Sequence, residues 1–213
     1  MKKWLLKLLL FVSVLSFVCS AAFAATITPI EVQFDHIEQM SFYARILDYN
    51  EESDTLTVEL IAPETFTADD VEALKVGDSI YTNGQEILIE SINCIRWGVY
   101  SINDADALDY ICLAMDEEYN YKAENYGDFT WHTLTEIECP VQETLLFLDY
   151  INDQNGSPLE LPVVHTAREL TEEMLAMGPY EAFTAGLTCN NVYVTFDDAG
   201  NLATIHRFHV PWQ

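Results

Sequence analysis

Apolar and polar residues alternate along most of the chain with a period of two rather than 3.6. In Thr55-Leu56-Thr57-Val58-Glu59-Leu60 apolar side chains fall on every second position, the pattern of a half-buried strand. Tyr43 to Tyr49 reads as its partner, with polar Asn50-Glu51-Glu52-Ser53-Asp54 as the hairpin loop. Thr67 with Asp70 three residues on makes a capping pair, Val71 and Leu74 give one apolar face, and Gly77 offers a left-handed exit, so one short helix is predicted. Ser79 to Thr82 and Gln85 to Ile95 flank Asn83-Gly84, the dipeptide that best tolerates the two positive φ angles of a type I′ turn.

Beyond Arg96, strands are predicted at Trp97 to Ile102, Leu108 to Met115, Glu118 to Lys122, Phe129 to Ile137 and Thr144 to Tyr150, with Asn, Asp and Gly at the joints. A longer amphipathic helix is expected from Thr166, whose cap Glu169 completes; Leu170 and Met174 share its apolar face, and Gly178-Pro179 ends it. A last hairpin pairs Asn191 to Phe196 with Leu202 to Val210 through Asp197-Asp198-Ala199-Gly200-Asn201. The expected fold is mainly β with minor α: an antiparallel small-barrel unit over 25–96, then a second antiparallel sheet region over 97–213 carrying one helix. The division falls at Arg96 to Gly98.

Two stretches carry a resemblance. The stretch from Ala44 to Ile92, with "LTVEL" (56–60) and "ALKVGDSIYTNGQEILIESI" (73–92), resembles the small barrels of the oligonucleotide/oligosaccharide-binding and SH3-like kind. "VYVTFDDAGNLATIHRFHVPWQ" (192–213) is similar to the tails of uncharacterised exported β-rich proteins of Gram-positive bacteria. Together they cover about a third of the chain. The resemblance implies β architecture and export, and it carries no catalytic residue across.

The first 24 residues stand apart. Lys2, Lys3 and Lys7 precede an apolar run from Leu8 to Val18, and Ala22-Phe23-Ala24 supplies the small residues that a signal peptidase requires, so residues 1–24 read as a signal peptide and the mature chain is expected to begin at Ala25. The run spans about 11 residues against the roughly 20 that cross a bilayer. Cys19 follows Phe17 and Val18, where a lipoprotein signal needs a small residue. The expected location is secreted or at the cell surface.

Charge narrows the partners. Thirty-five acidic residues against nine basic ones give a formal charge of −26, and cleavage after Ala24 would remove three lysines and no acid. Repulsion from phosphate and the shortage of cations for a basic patch exclude nucleic acid and anionic lipid surfaces.

Candidate chemistry is sparse. No serine sits on a Gly-flanked elbow. Cys94, Cys112, Cys139 and Cys189 match neither a zinc spacing nor C-x-x-C; export would permit two disulfides in any of three pairings. Cys139 or Cys189 meeting His132, His165 or His206 would make a thiol nucleophile, a less frequent fate for strand cysteines than burial. His206 and His209, three apart on a strand, point to opposite faces and cannot share an ion, while His36, His132 and His165 stand alone. The acidic joints Asp104/Asp106/Asp109, Asp116/Glu117/Glu118 and Asn152/Asp153/Asn155 offer oxygens without the order of a calcium loop.

Carboxylates and aromatics remain. Asp149, Glu136 and Glu138 fall in predicted strands and are the first candidates for acid/base hydrolysis of a glycan. Trp97, Trp131, Trp212, Tyr119, Tyr121 and Tyr126 are candidates for stacking, although core packing is the commoner use of aromatics at strand spacing. Tyr119, Tyr121 and Trp131 are the candidate binding residues. Tyr119 and Tyr121 are expected to share one exposed face. The expected function is an extracellular, non-enzymatic binding module for a protein or glycan, with no cofactor and no metal. The alternative is an exported carboxylate-dependent glycan hydrolase.

Overall fold

The alternating stretches form strands in the computed structural model, which describes residues 24–32, 36–125, 128–151, 157–167, 169, 187–188 and 190–208. After β1 (Thr26–Ile27) comes the expected hairpin of β2 (Ser41–Asn50) and β3 (Thr55–Pro63), then β4 (Thr65–Phe66) and the short helix α1 (Ala68–Ala73). The hairpin turn is Glu51–Asp54, with Asp54 at φ 52°. α1 starts where Thr67 Oγ1 accepts the Asp70 N–H at 3.1 Å, and it buries Val71. It ends at Ala73; Gly77, at φ +97°, serves a separate turn and donates its N–H to the Ile89 carbonyl.

β5 (Ser79–Thr82) and β6 (Gln85–Leu88) form the Asn83-Gly84 hairpin, and both turn residues have positive φ, 49° and 71°. The run from Gln85 to Ile95 is not one strand. It breaks at Ile89–Ser91, and β7 (Ile92–Arg96) turns at Trp97-Gly98 to pair with β8 (Val99–Ile102). β9 (Ile111–Met115), β10 (Tyr121–Asn125), β11 (Asp128–Phe129), β12 (Trp131–Pro140) and β13 (Leu146–Ile151) follow.

β14 (Pro158–Thr166) has no counterpart in the sequence reading. Pro158 and Pro162 argue against a central strand, and β14 is in fact the edge of its sheet, where a missing N–H is tolerated. At its end Glu169 reaches back to the Thr166 N–H at 2.8 Å, half of the expected capping box. The helix proposed beyond it, with Leu170, Met174 and Gly178-Pro179, lies outside the described residues, as do residues 1–23, where the signal peptide was expected, and Tyr126, Asn152, Asp153, Asn155, Cys189, His209 and Trp212. The closing hairpin is β15 (Val192–Phe196) and β16 (Leu202–Arg207).

Three sheets result. Seven strands run in the order β12-β3-β2-β15-β16-β13-β14, antiparallel except for β13 beside β16; six form β11-β10-β9-β8-β7 with β4 also on β10; three form β1-β5-β6. The fold is mainly β with antiparallel sheets and one short helix among the described residues. The small barrel is a correction: no sheet closes among the described residues, because β2–β3 leaves its sequence neighbours and joins β15–β16. The Arg96–Gly98 joint is the turn of the β7–β8 hairpin, and pairing runs across it.

Each sheet face follows from alternation. Phe42, Ala44 and Ile46 on β2 lie beside Leu56, Val58 and Leu60 on β3, Val192 and Val194 on β15, and Ile205 on β16, in one buried cluster. A second cluster joins Ile27, Phe66, Val71, Ile80, Ile102 and Leu113 between the two smaller sheets and α1. The sheets meet at a hydrogen-bonded corner. Glu64 N donates to Thr130 O (2.8 Å), Ala123 N to Glu64 O (3.1 Å) and Thr130 N to Ala123 O (2.9 Å), so the β3–β4 and β11–β12 links cross side by side.

Candidate functional site

The corner carries a cleft of about 280 Å³. Its aromatic side is Trp131 and Phe129; its polar side is Arg45, Asn83, Asn125, Asp128, Thr130 and Asn190. Behind it, the buried Glu64 carboxylate accepts the Asn83 N–H at 3.0 and 2.9 Å and the Thr82 hydroxyl at 2.5 Å, which fixes the β5–β6 turn as one wall. Arg45 is fixed too: Nε donates to Asn190 Oδ1 and Nη1 to Glu59 Oε2, each at 2.8 Å. Asn190 precedes β15, so the first and last hairpins of the seven-stranded sheet both contribute.

Glu59 is itself held by the Thr133 hydroxyl, which donates at 2.5 Å. Burial pushes its carboxyl up, but the Thr133 and Arg45 hydrogen bonds and the Arg45 charge together pull it below the ordinary value. A carboxyl lowered in the folded state stabilises the fold above its unfolded pKa, about 4.3, and that contribution is lost as pH falls through the folded value. Glu59→Gln should therefore cost about 1 kcal/mol at neutral pH, and the deficit should shrink in urea titrations run from about pH 5 to about pH 3. A deficit that stays constant would show that the charge contributes nothing.

Aromatic rings continue from the cleft across the outer face of the sheet. Trp131 sits edge-on between Phe129 (6.0 Å between centroids) and Tyr43 (4.9 Å), and Tyr43 meets Tyr193 at 5.7 Å. The strand register produces this row, since Tyr43 lies opposite Tyr193 and Tyr193 opposite His206. Tyr43 keeps 44% of its surface in solvent. Two polar atoms of the cleft residues, Trp131 Nε1 and Asn125 Oδ1, are buried without a hydrogen-bond partner among the described residues.

The three candidate binding residues separate. Trp131 lines the cleft just described. Tyr121 is a correction: it is 1% exposed, in the second core against Tyr100, and burial pushes its phenol up. The cause is the Asp116 carboxylate, whose Oδ1 accepts the N–H of Glu118 (2.9 Å) and Asn120 (3.0 Å) and closes a turn where a strand was expected. β10 therefore starts at Tyr121, and the two tyrosines share no face. Tyr119 is left in that turn at φ 63°, 66% exposed, across from Trp97 in a second groove of about 470 Å³ that Arg96, Met115 and Glu117 also line.

The other candidates are dispersed. Asp149 is 1% exposed and paired with Arg207, whereas Glu136 and Glu138 lie exposed on the edge strand β12. Cys94, Cys112 and Cys139 are free thiols; burial pushes Cys139 up to about 11, far from a nucleophile's range, and burial with nearby Glu124 raises Cys112. His206 bonds Thr204 and stacks beside Tyr150 and Phe208. Asp109 accepts from Asn103 at 2.8 Å, and among the described residues no three acids, histidines or cysteines form a metal-binding group.

What sequence reasoning missed is the amide set. Asn83, Asn125 and Asn190 stand in three separate turn or strand-end contexts, where asparagine already has a local explanation. Only the corner brings them together. Comparison with protein-family models, curated proteins and solved structures finds no match for this chain.

Proposed function

We propose that the protein is an exported binding module, cut after Ala24, whose ligand is a neutral glycan held in the Trp131 cleft. One observation carries the reading: a partly exposed aromatic surface adjoins amide, guanidinium and carboxylate side chains around a single concavity. Aromatic rings accept the apolar face of a sugar, and Asn, Asp and Arg together offer the donors and acceptors that its hydroxyls need. Asp128 is the single carboxylate among the cleft-lining residues, and Glu59 and Glu64 behind it are engaged in internal hydrogen bonds. That arrangement favours holding a sugar over cleaving it, which takes two carboxyls facing one bond.

Calorimetric titration against a panel of neutral oligosaccharides tests the proposal. Trp131→Ala should weaken the best ligand at least about tenfold, equivalent to about 1.4 kcal/mol. Tyr121→Phe should leave the affinity unchanged. A panel without a binder would remove the glycan reading. Release of reducing ends that Asp128→Asn abolishes would replace it with hydrolysis.

A further inference from the structure

We propose that the buried Asp78 carboxylate is the receptor for the α-ammonium group that Ala25 acquires when the chain is cut after Ala24, so that removal of the leader completes an ion pair fastening β1 to β5. The inference rests on the export reading for its trigger and on geometry for everything else.

Asp78 is 3% exposed, and its Oδ1 accepts from the Ala25 nitrogen at 2.9 Å. Its Oδ2 accepts the Lys75 N–H at 3.1 Å, and its backbone carbonyl accepts the Ile89 N–H at 2.8 Å, so the carboxylate is held in place before Ala25 arrives. The Ala25 carbonyl accepts the Ser79 N–H at 2.8 Å, and Thr26 and Ile27 then run parallel to Ser79 and Ile80. Ile27 ends in the second core. Buried Asp78 therefore contacts the nitrogen that borders the small-residue cleavage signal.

The chemistry at that nitrogen changes on cutting. A signal peptidase adds water across the Ala24–Ala25 peptide bond: the carbonyl carbon of Ala24 gains the hydroxyl and becomes a carboxylate, and the Ala25 nitrogen becomes an ammonium at neutral pH. An amide N–H facing a carboxylate is thereby replaced by a full positive charge at the same place. Ala24 and Ala25 are exposed, so the additional N–H bonds of the ammonium reach water. The Ala25 N–H already holds the Asp78 carboxyl below the usual range, with Lys75 adding to the effect.

The test compares the secreted chain beginning at Ala25 with the same chain acetylated on its α-amino group, in the parent and in Asp78→Asn. Acetylation should lower the parent melting temperature by at least about 2 °C and should have no effect in Asp78→Asn. Equal melting of the free and acetylated parent overturns the ion pair, as does a difference that persists in Asp78→Asn. Should that variant not fold, ¹⁵N-detected titration of Ala25 in the parent decides: a pKa above the ordinary 7.7–8.0, roughly, supports the pair and an ordinary value overturns it. Intact mass of the secreted protein judges the trigger separately. A start other than Ala25 overturns the cut, whatever the melting data say of the pair.

Discussion

Asp149→Ala should destabilise the protein by about 3–5 kcal/mol, because it removes the carboxylate that faces a buried guanidinium. Asp149 and Arg207 lie directly opposite each other on the parallel pair β13–β16, both about 1% exposed. Asp149 Oδ1 accepts from Arg207 Nε and from the Ile151 N–H, each at 3.0 Å; Oδ2 accepts from Arg207 Nη2; and the Phe147 ring lies 5.7 Å from the guanidinium carbon. The pair points into the core beside Phe147 and Ile205. The double variant Asp149→Leu/Arg207→Met should recover most of the loss, since apolar side chains of similar volume avoid desolvating two charges. Urea denaturation of the two variants checks both statements. A single variant within about 1 kcal/mol of the parent would mean that water reaches the guanidinium once the carboxylate is gone.

Glu64→Ala is expected to cost about 2–4 kcal/mol and, if the cleft holds a glycan as proposed, to weaken that binding under conditions where the protein remains folded. The carboxylate is 3% exposed and receives two donors, the Asn83 N–H and the Thr82 hydroxyl, both of which the variant would deprive of this acceptor. Thr82 keeps a contact to Thr130 Oγ1 at 3.2 Å, so the loss falls mainly on Asn83. Asn83 and Thr130 both line the cleft. Glu64→Gln retains an acceptor and should cost roughly half as much. Equal losses for Ala and Gln would show that the negative charge, rather than the hydrogen bonds, holds the corner.

The local hairpins were legible because each is specified within a dozen residues. Asn83-Gly84 demands positive φ and takes it, and Asn50–Asp54 and Asp197–Asn201 connect alternating runs as expected. Pairing between distant segments was not legible. Nothing in Ser41–Asn50 names Val192–Phe196 as its neighbour, because both simply present an apolar face, and that missing information turned an expected barrel into a seven-stranded sheet. Tyr121 was misplaced by one side chain: Asp116 captures two backbone N–H groups and delays the start of β10. Trp131 was identifiable as an aromatic at strand spacing, but its surroundings depend on a corner made by three sheets.

The same long-range pairing bears on how the chain acquires its shape. Arg45 and Asn190, which touch across the β2–β15 boundary, are 145 residues apart in sequence. β2 can find β3 as soon as the chain leaves its source, yet its other edge has no partner until β15 has been made. Contacts of such separation slow folding, and an unpaired edge invites pairing with other chains meanwhile. The interval between the first hairpin and the last is therefore when the nascent chain is most exposed to aggregation, and a chain halted before Val192 would keep that edge open indefinitely.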